Sequence, residues 1–406
     1  MARNSKLSMV LKNVNLAHGK GTIGGAKREL LYRISTGSVS FDRALGGGIP
    51  VGRTTIFRGG ESSGKTDASY RIIGIAQKLC ANCYREAREL KFVKTKDGME
   101  AQGFCDCYKQ GIHQIKQQPD EKKEEFSQRK KLYEENSYEE YRVALIEPER
   151  SWDSAWAETK GVNVDRLLYS CPECAEEAGD IYDELLRTGE IDMIVLDSIA
   201  ALTPAEEIVE SLVKWQQGLQ ARIIGKFTRR VQSSVNVVVR EYGRLPTQLW
   251  INQEREKIGI SFGDNTVMPA GVSQLFAASV IVKMWQSKWV KEARDTDLIK
   301  EFQSDIGSRV RINFKVTKNK TAPAYQTGSY DLWVAGEDAG KIDEQKYFLA
   351  MAEKFGLIKE VEDKKKKTWF LGDEEYKTKK AMIDRVMEPE VYKKMREMLM
   401  EALLVN

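Results

Sequence analysis

The stretch Gly59-Gly60-Glu61-Ser62-Ser63-Gly64-Lys65-Thr66 matches G-x-x-x-x-G-K-[ST] without a departure. It constrains the fold strongly, because such a loop works only between the end of a strand and the start of a helix. Its glycines let backbone N–H groups turn toward phosphate oxygens, and the helix that follows presents its positive amino end to the same anions. Lys65 is then expected to reach the β- and γ-phosphates of a nucleoside triphosphate, and Thr66 to give its hydroxyl to Mg2+. The flanks agree: Thr54-Thr55-Ile56-Phe57 reads as a buried strand and residues 68–76 as a helix.

Around that motif, 406 residues are enough for two or three domains. Lysine and arginine number 64 against 60 acidic residues, a formal charge of +4, so any nucleic-acid site must come from local clustering. Met1-Ala2-Arg3-Asn4-Ser5-Lys6 leads into no apolar signal region, and no apolar run approaches bilayer length. A soluble cytoplasmic chain with no membrane partner is the expectation. Six cysteines fall in three close pairs, which favours metal binding or free thiols over a disulfide framework.

Residues 7–16 carry apolar side chains at helical spacing but are too few to stand alone. This segment is expected to dock, on its own core or on a neighbouring subunit. Beyond the loop's helix, an α/β ATPase needs only a short connection to the next strand, yet about sixty residues, Cys80 to about Arg142, are spent there. Cys80 and Cys83, then Cys105 and Cys107, have the spacing of a four-thiolate Zn2+ site, with His113 as a substitute ligand and coincidental thiols as the plain alternative. Residues 120–142 are dense in charge, with Phe126, Leu132, Tyr133 and Tyr141 interspersed, as a solvated helical hairpin or lead-in helix would be.

Tyr141–Ile146 is a β-rich run ending at Glu147-Pro148-Glu149-Arg150, so acids stand just past a strand's carboxyl end, where ligands bind in open α/β sheets. Glu149 is the candidate base, since phosphoryl transfer depends mainly on positioning and charge stabilisation. Residues 191–198 read as a second buried strand ending in an acid, Asp197, which is expected to hold Mg2+ with Thr66. Cys171 and Cys174 lie in a turn followed by a helix and read as free thiols or accessory ligands.

Ile34 to Leu45, the glycines after it, Pro50, Gly52-Arg53 and Glu61 to Thr66 together resemble the opening of the bacterial RecA recombinase core. The resemblance runs over about residues 10–79 and 143–406. It implies an α/β fold: a P-loop ATPase core with a mainly parallel central sheet, a short N-terminal polymerisation helix and a small α+β C-terminal domain. The implied division is an oligomerisation segment at 1–33, a core at 34–335 interrupted by the zinc-binding insertion at 80–142, and a C-terminal domain at 336–406.

The resemblance also implies residue roles. Glu149 stands where the family has the acid that activates the attacking water, and Glu147 where Asp is usual. Asp153 and Trp156 match residues that touch the adenine edge and stack on its face, with Trp in place of Tyr. Gln253, closing the expected strand Thr247–Gln253, matches the residue that senses the γ-phosphate and signals to a second DNA-binding loop at about 254–274. Implied DNA contacts are Lys214, Trp215 and Arg222 in the first loop and Ile258, Gly259, Phe262 and Gly271 in the second. Glu254, acidic where apolar is usual, and Val267-Met268-Pro269 depart from the pattern.

Lys318 and Lys320, after the alternating strand Val310–Val316, match lysines that reach the neighbouring subunit's triphosphate. Phe276 matches an interface position. The run Lys364 to Lys367 reads as a gateway for duplex DNA or as a solvated loop. The implied activity is that of an ATP-dependent recombinase, taking ATP and Mg2+, that forms helical filaments on single-stranded DNA and exchanges strands with double-stranded DNA in recombination and repair. The implied location is the cytoplasm of a bacterial cell or phage-infected host. Two other classes share these motifs. A RecA-fold motor or helicase would form closed rings, and a non-catalytic DNA-binding regulator would lack DNA-stimulated ATPase.

Overall fold

The computed structural model describes residues 2–18, 31–84, 91–95, 98–102, 123, 127, 140–209, 218–256, 266–267, 269, 271–290, 309–336, 338–363 and 366–405. Two short strands, β1 (Arg33–Ile34) and β2 (Ile49–Pro50), pair beside the start of β3 (Thr54–Gly59). A hairpin, β4 (Lys91–Thr95) and β5 (Gly98–Gln102), follows, then β6 (Val143–Ile146), β7 (Leu168–Ser170), β8 (Met193–Leu196) and β9 (Thr247–Gln253). The pair β10 (Arg255–Glu256) and β11 (Thr266–Val267) precedes β12 (Val280–Val290), β13 (Arg309–Asn319), β14 (Thr327–Trp333) and β15 (Ile342–Asp343). Last come β16 (Ile358–Asp363), β17 (Lys366–Leu371) and β18 (Glu374–Tyr376).

The central sheet has the order β15-β14-β13-β12-β3-β9-β8-β6-β7. From β12 to β7 every pairing is parallel, and β13 to β15 extend the other side antiparallel. Consecutive residues of the parallel strands enter opposite cores. Phe57, Leu145, Val195, Leu249 and Val282 join a cluster with Phe41 and Phe314 on one face. Ile56, Ile146, Leu196, Trp250 and Ile281 join Tyr182, Phe227 and Val231 on the other. Burial on both faces is why these strands read as continuous apolar runs rather than as alternation.

The second face is covered by two helices, Ala175–Arg187 and Leu219–Tyr242. Tyr182 meets Phe227 edge-on at 5.2 Å and accepts a hydrogen bond from Trp250 Nε1 at 2.9 Å. The helix Leu219–Tyr242, 24 residues long, is not among the elements expected from the sequence. Its signal is present in Leu219, Ile223, Ile224, Phe227, Val231, Val235 and Val238, whose spacing of three and four makes an apolar stripe.

A third cluster, with Phe348, Met351, Ile358, Met382, Val386 and Leu399, takes Val39 from the helix Val39–Leu45. Two buried carboxylates fasten this C-terminal unit. Glu344 accepts from Ser38 Oγ at 2.8 Å and from the Val39 and Ser40 amides, so it caps the Val39–Leu45 helix. Asp42 of that helix accepts from Thr36 and pairs with Arg396 at 2.9 Å. Removing one partner of such a pair leaves a buried charge and costs about 3–5 kcal/mol.

The strands and helices around the phosphate loop lie where expected, and the mainly parallel α/β sheet agrees with the expected class. The helix Ala2–His18 leaves Met9, Val10 and Leu16 exposed. Cys80 forms an isolated antiparallel bridge with Glu140, so the inserted segment leaves and re-enters at one neck. The expected helical hairpin at 120–142 falls mainly outside the described residues. Among the described residues no helix is long and apolar enough to cross a membrane.

Candidate nucleotide site and nucleic-acid loops

The loop after β3 folds over its own lysine. Lys65 Nζ donates to the carbonyls of Gly59 at 3.1 Å and Gly60 at 2.6 Å, and to Ser63 Oγ at 3.0 Å. Burial lowers its pKa, while Asp197, Glu149, Glu254 and Glu61 pull it back up, so the ammonium sits among acids. The terminal glycines of the motif are held by sterics. Gly64 opens the helix Lys65–Ala76 at φ 80, where a Cβ would lie 3.0 Å from the Ile312 side chain. A Cβ on Gly59 would lie 2.1 Å from the Met284 carbonyl oxygen of β12, whereas one on Gly60 meets nothing within 4 Å.

Thr66 Oγ1 donates to Asp197 Oδ2 at 2.8 Å. Burial pushes the Asp197 carboxyl up to about 7, against the hydrogen bond from Thr66. A hydroxyl and a carboxylate form the oxygen donor set that Mg2+ prefers, and the strained charge on Asp197 is what a cation there would relieve. These residues therefore fit the metal.

Glu149 is exposed, and its Oε1 accepts from Ser198 Oγ and from Gln253 Nε2 at 3.1 Å. The strand ends of β6, β8 and β9 thus bring together three residues distant in sequence. Ser198 was not singled out by the sequence reading; it follows Asp197 directly. Glu147 is 1% exposed and takes its hydrogen bonds from Ser151 and from Tyr169 Oη at 3.1 Å, which closes the turn carrying Glu149.

Asp153 caps the short helix Ser154–Thr159 by accepting from the Trp156 amide at 2.9 Å. Trp156 is half-buried, and Lys160 Nζ lies 3.5 Å from its ring centroid while pairing with Asp67 at 2.8 Å. A buried cation thus supports the indole ring expected to stack on a base.

Of the expected DNA contacts, Lys214, Trp215, Ile258, Gly259 and Phe262 lie outside the described residues. Arg222 is exposed, and it stands in the first turn of the Leu219–Tyr242 helix rather than in a loop. That is a correction with a local cause: Gly218, left-handed at φ 77, starts the helix four residues earlier. Lys226 and Arg229, also exposed, follow Arg222 at i+4 and i+7 along one side. Gly271, at φ 80, approaches Ala221 so closely that a Cβ would lie 3.2 Å from the Ala221 Cβ. The end of the second loop therefore meets the end of the first.

Lys318 donates to the Leu275 carbonyl of its own chain, and burial lowers its pKa before the neighbouring charge of Lys320 does. Lys320 is exposed, and its amide bonds to Ser279 O, whose residue in turn bonds to Thr54 O at the start of β3. Phosphates are expected at Gly59, five residues further along that strand, about 17 Å away at 3.3 Å per residue. Neither lysine is placed beside its own chain's loop. Phe276 is 75% exposed.

Cys80 is buried and Cys83 half-buried, while Cys105, Cys107 and His113 lie outside the described residues. Among the described residues no group of three or more His, Cys, Asp and Glu side chains is arranged to hold a metal. Cys171 and Cys174 are free, and Cys174 Sγ accepts from the Glu177 amide as the cap of the Ala175–Arg187 helix. In the lysine run, Lys367 pairs with Glu360 across β16 and β17, and Lys364 and Lys365 lie outside the described residues.

The family model described as the RecA N-terminal domain matches residues 5–90 and 133–337. Its interruption coincides with the inserted segment. Protein RecA of Heliobacterium modesticaldum is 32% identical over 331 residues, covering 80% of this chain and 73% of the relative. Protein RecA of Symbiobacterium thermophilum is 29% identical over 336 residues, 82% and 74% of the two chains, and that of Nitratiruptor sp. is 31% identical over 344 residues, 84% and 77%. The chain belongs to the RecA family, DNA-dependent ATPases that bind ATP, Mg2+ and DNA, form filaments and act as recombinases in DNA repair.

Proposed function

We propose that this chain polymerises head-to-tail on single-stranded DNA and exchanges strands with a homologous duplex, each ATP site being shared between two subunits. Gly59 to Thr66 hold the phosphates of ATP, with Lys65 exchanging loop carbonyls for phosphate oxygens. Thr66 and Asp197 hold Mg2+, which when bound withdraws charge from the phosphates. Glu149 orients the attacking water, Ser198 and Gln253 hold Glu149, and Asp153 and Trp156 meet the base. Lys318 and Lys320 serve the next subunit's triphosphate.

The observation that carries this reading is the separation of Lys318 and Lys320 from the phosphate loop of their own chain. Lys318 near the end of β13 and Lys320 just past it lie level with the start of β3, across the intervening β12, whereas Lys65 stands past the other end of β3. Cations at opposite ends of one sheet meet across a boundary when subunits stack heterologously, and a heterologous contact that does not close gives a helical filament. The exposed Met9, Val10 and Leu16 of the first helix and the exposed Phe276 supply apolar surface for that contact.

Arg222, Gly271 and the loops they border, with Lys214, Trp215, Ile258, Gly259 and Phe262, are assigned to DNA. The domain division at 33, 80–142 and 335 is proposed with them. So is a four-thiolate Zn2+ site at Cys80, Cys83, Cys105 and Cys107, supported by cysteine spacing. The workplace is the cytoplasm of a bacterial cell or phage-infected host. ATPase rates with and without single-stranded DNA, electron microscopy and metal analysis of one preparation test the scheme. Filaments, DNA-stimulated hydrolysis and one zinc per chain are expected, and closed rings with directional unwinding would overturn it.

A further inference from the structure

The charges beneath the phosphate loop single out Glu254. Its side chain is 4% exposed, yet it lies between two cations, with Oε1 3.1 Å from Arg58 Nη1 and Oε2 3.5 Å from Lys283 Nζ. The three residues come from adjacent parallel strands or their ends. Lys283 of β12 is in register with Arg58 of β3, and Arg58 with Asn252 of β9. Glu254 stands two residues past Asn252, so the strand period returns it to the same face.

Its backbone belongs to the site as well. The Glu254 amide donates to Gly59 O at 3.0 Å, the carbonyl that also accepts Lys65 Nζ at 3.1 Å. The preceding residue is Gln253, which holds Glu149. The following residues, Arg255 and Glu256, form β10 at the start of the second loop. When Lys65 leaves the Gly59 carbonyl for a phosphate, the Glu254 amide still binds it, so a shift of the loop is felt directly at Gln253 and β10.

Stability alone does not call for charges here, because apolar side chains of similar volume pack a sheet face as well as a buried ion cluster does. What the cluster adds is a fixed lateral position for three strand ends. We infer that Glu254 is a positioning residue: clamped by Arg58 and Lys283, it sets Gln253 against Glu149 and ties the start of the second loop to the phosphate loop. The inference rests on the reading of Gln253 given above.

Steady-state ATPase of the full chain, with and without an oligodeoxythymidine strand, tests it on Glu254→Gln, Lys283→Met and Gln253→Ala. Glu254→Gln is expected to lower the DNA-stimulated kcat about tenfold while the KM for ATP stays within about twofold. Lys283→Met, which keeps the Arg58–Glu254 pair, is expected to lower kcat about threefold in the same pattern. Wild-type kcat in Glu254→Gln, or a loss of kcat matched by a raised KM and a lowered Tm, overturns the inference. If Glu254→Gln does not fold, an unchanged kcat in Lys283→Met overturns it instead. Gln253→Ala separates the two readings. Lost stimulation there with Glu254→Gln unaffected sinks only the role of Glu254, whereas full stimulation in Gln253→Ala sinks the sensor reading beneath it.

Discussion

Gln253 Nε2 donates to Glu149 Oε1 at 3.1 Å, joining the ends of β9 and β6 across 104 positions of sequence. The contact holds the proposed water-orienting carboxylate without neutralising it, because the amide is an uncharged donor. Glu149→Gln is nearly isosteric and keeps the position while removing the negative charge. It is expected to lower kcat by about 10²–10⁴-fold with ATP binding unchanged. Single-turnover hydrolysis beside equilibrium nucleotide binding checks this, and a kcat within twofold of wild type would remove Glu149 from its role.

A shared site has a consequence for mixtures. Lys65→Ala spoils the phosphate loop of a subunit, and Lys320→Ala spoils its contribution to the neighbour. Each variant alone is expected to be nearly inactive. An equal mixture regains intact sites wherever the good loop of one meets the good lysine of the other, about a quarter of all boundaries if mixing is random. ATPase of the mixture measures this, and no recovery would argue that both residues serve one chain.

The two glycines at the head of the motif are expected to differ. Gly59→Ala drives a Cβ against the Met284 backbone, which cannot yield as a side chain can. It should abolish nucleotide binding or folding. Gly60→Ala enters open space and is expected to change stability by no more than about 0.5 kcal/mol. Thermal melts with and without ATP distinguish the pair, and equal damage from both would refute the steric account.

Asp183 joins the two helices on the second sheet face. Burial raises its carboxyl, but hydrogen bonds from Ser234, Arg187 and Arg230 outweigh that and hold it below the usual carboxylate range. A depressed native pKa contributes stability that is present above the unfolded value, near 4, and lost as pH falls through the native one. Both arginines are more than a third exposed, so screening reduces the contribution to about 1 kcal/mol. Asp183→Asn should melt lower than wild type at pH 7, with the difference shrinking as pH falls below the unfolded value. A constant difference across that range would refute the linkage.

Local patterns in the sequence were enough for the strand, loop and helix around Lys65, for Glu149 past its strand and Asp197 at the end of another, and for the limits of β9. Backbone turns and two-sided burial leave marks within a few residues, since glycine supplies φ values other residues avoid and a buried parallel strand is apolar throughout. The helix Leu219–Tyr242 was equally legible in its apolar stripe. Which distant residues meet was not. Ser198 on Glu149, Lys160 beneath Trp156, and Glu254 between Arg58 and Lys283 depend on strand order and register, and a charged residue in a sequence looks the same whether solvated or clamped. The sequence by itself determined the phosphate-binding chemistry, because that chemistry is carried by eight contiguous residues. Only the tertiary structure decided that Lys318 and Lys320 stand away from their own chain's loop, because that separation comes from β13 running antiparallel to β12.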